Sequence, residues 1–90
     1  MKVDTRQVML STAELLKKMD QQLNVLQQDA TRSRFLVAAA VEGNPESTFD
    51  DRIKSQICTE ALGTIFGKII EARTHLDVAA RALEMQRNGG

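Results

Sequence analysis

Few residues in this chain have the type and spacing to do chemistry. His75 is the only histidine and Cys58 the only cysteine among 90 residues. Seventeen positions apart on one predicted helix, they sit roughly 25 Å apart along its axis. That separation excludes a nucleophile–base pair within one chain. One His and one Cys do not complete a four-ligand metal site, and a single Cys excludes an internal disulfide framework. Asp50-Asp51 is the only adjacent acidic pair, and its place at the start of a predicted helix accounts for it, because negative charge is favoured there. No Gly-rich segment has the form that cradles phosphate. The expectation is therefore that the protein is not an enzyme, with no catalytic residue, no cofactor and no metal. His75 reads as a solvated or interface helix residue. Cys58 reads as a small apolar residue on a helix seam.

The elements that would position these residues are helices. Gly and Pro are scarce at five and one, aromatics make up 3 %, and there is no Trp or Tyr, a poor supply for a turn-rich β fold. Hydrophobic residues at 42 % and charged residues at 27 % suit one small globular domain rather than a disordered chain. Twelve basic residues balance twelve acidic ones. Residues 1–41 hold six basic and four acidic residues, and residues 42–90 hold six and eight. Such offsets are too small for a phosphate footprint, so nucleic acid is disfavoured as a partner, and no small-molecule substrate is expected. The N-terminal MKVDTRQVML carries no apolar core of signal-peptide form. The longest apolar run, Phe35 to Val41, has seven residues, against about twenty for a transmembrane span. The expectation is a soluble chain of cytoplasmic synthesis, with export without a cleaved signal left open.

The one strong break is Glu42-Gly43-Asn44-Pro45-Glu46-Ser47-Thr48. Gly43 suits the left-handed residue that ends a helix, Pro45 cannot continue one, and Ser47 or Thr48 can cap the next. Before the break, Met9, Thr12, Leu16, Met19, Leu23, Leu26, Ala30, Ser33, Val37 and Ala40 step by three and four, a heptad seam. Asp4-x-x-Gln7 and Ser11-x-x-Glu14 both have capping-box form and compete as its start. After the break, Cys58, Leu62, Ile65, Ile69, Ala72, Leu76, Ala79 and Leu83 repeat the spacing. Arg81 and Arg87 suit the last turns, and Asn88-Gly89-Gly90 is a stop signal. These patterns predict an all-α fold: a single helical-hairpin domain over 1–90, with helices at about 5–41 and 49–87 and a turn at 42–48. Leu16, Leu23, Leu26, Ile65, Ile69 and Leu76 are the expected buried residues.

The apolar width exceeds what one helix–helix seam can cover. Ile53, Ile57, Phe66 and Ile70 lie beside the seam of the second helix, and Phe35 and Leu36 lie near the turn. Gly63 and Gly67 form a small-xxx-small pair, where a second helix can approach closely at a helix-propensity cost of about 1 kcal/mol for each glycine. These eight residues are the expected partner interface. The partner would be another helical protein or a second copy, as a homo- or heterodimer completing a four-helix bundle.

Lys2-Val-Asp-Thr5, Ala13, Leu16, Leu23, a Gly-bearing turn and Phe49 opening a second amphipathic helix resemble the small Trp-x-Gly, or ESAT-like, helical hairpins exported by type VII secretion systems. The resemblance covers the whole chain as a pattern. Val41-Glu42-Gly43 stands at the Trp-x-Gly position, and the C-terminal Tyr-x-x-x-Asp/Glu motif is absent. The resemblance implies a secretion-associated bacterial subunit that works by binding a helical partner. The residues alone imply the broader class: a non-enzymatic protein–protein interaction module, chaperone or adaptor. The alternative from another class is a small dimeric regulator that binds nucleic acid or a transcription factor.

Overall fold

The computed structural model describes residues 4–85. They form a helical hairpin with extents of 68 × 25 × 16 Å, built from α1 (Thr5–Glu42) and α2 (Phe49–Glu84). No strand occurs among the described residues.

Local chemistry sets each end. Of the two competing starts, Asp4 is the cap: its carboxylate accepts from the N–H groups of Arg6 at 3.0 Å and Gln7 at 3.3 Å. α1 runs one residue further than expected, to Glu42. Gly43 does not adopt the expected left-handed conformation. Its φ of −81° and ψ of −6° are right-handed, and its N–H still donates to the Ala39 carbonyl. Glycine here provides room, because a Cβ would sit 3.0 Å from that carbonyl oxygen. The turn is then tied down from the other side. The Ser47 hydroxyl donates to the Val41 carbonyl at 2.9 Å, and the Asn44 side chain accepts from the Glu46 N–H. Thr48 opens α2 with a reciprocal capping box to Asp51, at 3.1 and 3.0 Å. The backbone N–H of Thr48, and then its hydroxyl, hold the Asp51 carboxyl below its ordinary pKa. α2 ends at Glu84, short of the expected 87; Arg87 and Asn88-Gly89-Gly90 lie outside the described residues.

The seam is where the structure departs most from the periodicity. Every seventh residue of the expected seam does face the other helix: Leu16, Leu23, Ala30 and Val37 on α1, and Leu62, Ile69, Leu76 and Leu83 on α2 are buried or half-buried. Their companions are not the residues three further on. They are the residues four further on: Asp20, Gln27 and Val41 on α1, with Ala13 at the same heptad position, and Phe66, Arg73 and Ala80 on α2. At 100° per residue, this exchange turns each helix by about 50° about its own axis. Leu26 and Ile65, expected in the core, are 52 % and 47 % exposed as a result.

A polar cluster accounts for the rotation. Arg73 grips Asp20 through Nε at 2.9 Å and Nη2 at 3.3 Å, and its Nη1 donates to Asn24 and Gln27. These groups must meet across the seam, because half-buried polar groups without partners are costly. The hydrogen bonds from Arg73 hold the Asp20 carboxyl below its ordinary pKa, against the opposing effect of burial. Alanine and serine fill much of the rest. The buried residues are Ala13, Ala30, Ser55, Ile69 and Ala80, and no large side chain is fully buried among the described residues.

Candidate partner-binding face

The rotated seam leaves one stripe of each helix without a mate. On α1 this stripe contains Val8, Leu15, Met19, Leu26 and Leu36; on α2 it contains Ala61, Ile65, Ala72 and Ala79. The two stripes share one face of the hairpin. Both lie on the side of the seam reached by stepping three residues rather than four. Viewed down one axis, antiparallel helices wind in opposite senses, so that side of α1 and that side of α2 point the same way. Val37, Ala40, Lys54 and Cys58 line one open groove of about 450 Å³ on this face, beside the turn. Lys17, Asp77 and Arg81 line a groove on the opposite face.

The two faces differ in chemistry. The opposite face carries the Arg73 cluster, an ion pair of Lys17 with Glu84 at 2.9 Å and one of Arg81 with Asp77 at 3.1 Å. The Glu84 carboxylate raises the Lys17 pKa, first by hydrogen bonding and then by charge. The apolar face presents large side chains instead. Val8, Leu15, Met19, Leu26, Leu36 and Ile65 are each between 47 and 59 % exposed.

The eight residues expected at a partner interface do not form one surface. Leu36 lies on the apolar face, whereas Ile57, 63 % exposed, points away from the seam on the back of α2. Ile53 projects from the back of α2. Phe66 is half-buried in the seam. Phe35 and Ile70 belong to the opposite side, where Ile70 lines a groove with Asp20, Gln27, Arg73, Thr74 and Asp77. The glycine pair is divided as well. A Cβ on Gly63 would meet the Arg34 guanidinium at 3.6 Å, whereas Gly67 faces open space.

Leu15, Met19, Leu26 and Ile65 are the face residues missed as interface. Met19, Leu26 and Ile65 were read as seam. The signal that could have placed them was charge: Asp20 and Arg73 occupy the alternative seam positions of two antiparallel helices, within side-chain reach of each other.

Cys58 is half-buried and His75 exposed, both on α2. Among the described residues, no three His, Cys, Asp or Glu side chains gather closely enough to hold a metal ion. No described helix is long and apolar enough to cross a membrane. No protein-family model, curated protein or solved structure matches the chain.

Proposed function

We propose that this protein is a non-enzymatic interaction module that buries its apolar face against the helices of a protein partner. The observation that carries this reading is where the large side chains lie. The hairpin interior combines Leu16, Leu23, Leu62, Ile69 and Leu76 with alanine, serine and a polar cluster, and it still leaves Leu15, Met19, Leu26, Leu36 and Ile65 standing on one outer face. Leaving a large apolar side chain in water forfeits roughly 1.5–3 kcal/mol relative to full burial. Summed over this face, that is comparable with the whole stability of a small domain. A hairpin of this kind gains both its fold and its specificity when a partner supplies the missing helices. Within this class, the resemblance to exported Trp-x-Gly hairpins favours a secretion-associated subunit, made in the cytoplasm, over a general chaperone or adaptor.

The test is sedimentation of the full chain, alone and mixed with the products of neighbouring genes. Association should occur and should be lost in Leu26→Glu. A chain that stays folded and monomeric at high concentration, and binds none of those products, would refute the reading.

A further inference from the structure

The apolar face has a shape that selects its occupant. Resting on the interaction reading above, we infer that the face is covered by a second copy of this chain, packed in register with both turns at the same end, so that α1 of each copy lies on α2 of the other.

Levels along the hairpin decide which residues can meet. Arg34 sits beside Gly63 across the seam. Stepping one helical rise per residue from that point, in opposite directions, places Asp29 level with Lys68 and Met19 level with Val78, next to Ala79. A two-fold axis parallel to the helices keeps these levels and lays α1 of one copy on α2 of the other. Four layers then pair unlike sizes. Leu36 falls opposite Ala61, Leu26 opposite Ala72 and Met19 opposite Ala79. The one large residue of the α2 stripe, Ile65, falls opposite Ser33. Alternation of large and small residues lets facing layers interdigitate. The other two-fold arrangement, with turns at opposite ends, stacks α1 on α1 and α2 on α2. It gathers the large side chains of α1 in one layer and the alanines of α2 in the other, so bulk is shared unevenly between the layers.

Charge and area support the same occupant. Asp29 and Lys68 flank the stripe at one level, and neither has an ion-pair partner among the described residues. In the in-register pair each faces the other's counterpart, twice by symmetry. Val8, Leu15, Met19, Leu26, Leu36 and Ile65, each about half exposed, supply the apolar area that a stable complex, burying ~800 Å² per partner, requires.

The experiment uses the full chain. Sedimentation equilibrium should give a dimer. Asp29→Lys should weaken it about tenfold by creating two like-charge contacts, and Asp29→Lys with Lys68→Asp should restore it. Spin labels on Asn44→Cys, in a Cys58→Ala background, should lie roughly 20–30 Å apart across the bundle, about two to three helix diameters. A dimer whose labels lie near the 68 Å length of the hairpin overturns this inference. So does a monomer that gains a different partner on the same face. Both outcomes leave the interaction reading intact, whereas a folded monomer with no partner overturns both.

Discussion

The seam of the hairpin and its outer apolar face divide the large apolar side chains between them. The seam combines Leu16, Leu23, Leu62, Ile69 and Leu76 with small and polar side chains, among them Ala13, Asp20, Gln27, Ala30, Ser55, Arg73 and Ala80. The outer face holds Leu15, Met19, Leu26 and Ile65, each about half exposed. An isolated domain normally puts its large apolar residues between its elements. Here the contact within the chain is narrow and partly specified by hydrogen bonds, and a second apolar surface stays exposed beside it. On the function proposed above, the seam sets register and the face supplies affinity.

The harshest way to break this contrast is to charge the face. Leu26→Glu combined with Ile65→Glu should weaken association at least a hundredfold, because it places carboxylates in an apolar contact without partners. Light scattering gives the assembly state, and far-ultraviolet circular dichroism shows whether helix survives. The same double substitution at Phe35 and Ile70, on the other side, should leave assembly within a few-fold of the parent. Equal effects from both pairs would erase the distinction between the faces.

The seam is tested next, through Arg73. Arg73→Met keeps the bulk of the side chain and strands Asp20, Asn24 and Gln27 half-buried without their donor. The expected result is a melting temperature lower by several degrees, read by thermal circular dichroism. Asp20→Asn in the same background should recover part of the loss by removing the orphaned charge. An unchanged melting temperature in Arg73→Met would mean that the polar cluster does not hold the register.

The same contrast has a pH signature. Arg73 depresses the Asp20 pKa, and Thr48 depresses that of Asp51. A group whose folded pKa lies below its unfolded value gives its full stabilisation above the unfolded value, about pH 4 for Asp. That contribution is lost as pH falls through the depressed folded value. Acid should therefore loosen the seam and the α2 cap, with stability flat from neutral pH down to about 5 and falling below about 4. Arg73→Met should flatten part of that fall. The melting temperature measured against pH for both proteins is the check.

Much of this was legible in the residues, and the exceptions have a common cause. The break at Gly43–Pro45, the caps at Asp4 and Thr48, and the every-seventh positions Leu16, Leu23, Leu62 and Ile69 follow from local rules, which act within a turn of helix. The facing direction did not follow. Hydrophobic periodicity treats Leu26 and Ile65 as the natural companions of Leu23 and Leu62, because it scores a leucine above an aspartate. It is blind to Arg73, 53 positions from Asp20 in sequence, which makes the aspartate the better seam residue. The residues expected at an interface, Ile53, Phe66, Ile70 and Phe35, scatter for the same reason. A turn of about 50° in each helix redistributes every side chain that flanks the seam.

The smallest effect concerns the two glycines, whose spacing suggests a close helix crossing. In the structure they do not act together: Gly63 packs near Arg34 of its own chain, and Gly67 faces open space on the back of α2. A methyl at Gly67 meets nothing within 4 Å. Gly67→Ala therefore removes backbone freedom from the unfolded chain and improves helix propensity without a steric penalty. It should stabilise the protein by about 0.5–1 kcal/mol. Association should be unchanged, since the substituted position lies off the apolar face. The two readouts separate the alternatives. Chemical denaturation gives the gain in stability, and sedimentation equilibrium gives the dimer constant. If Gly67→Ala raised stability yet loosened the dimer, a second helix would be docking on the glycines, and the partner face would lie on the back of α2 rather than beside Leu26 and Ile65.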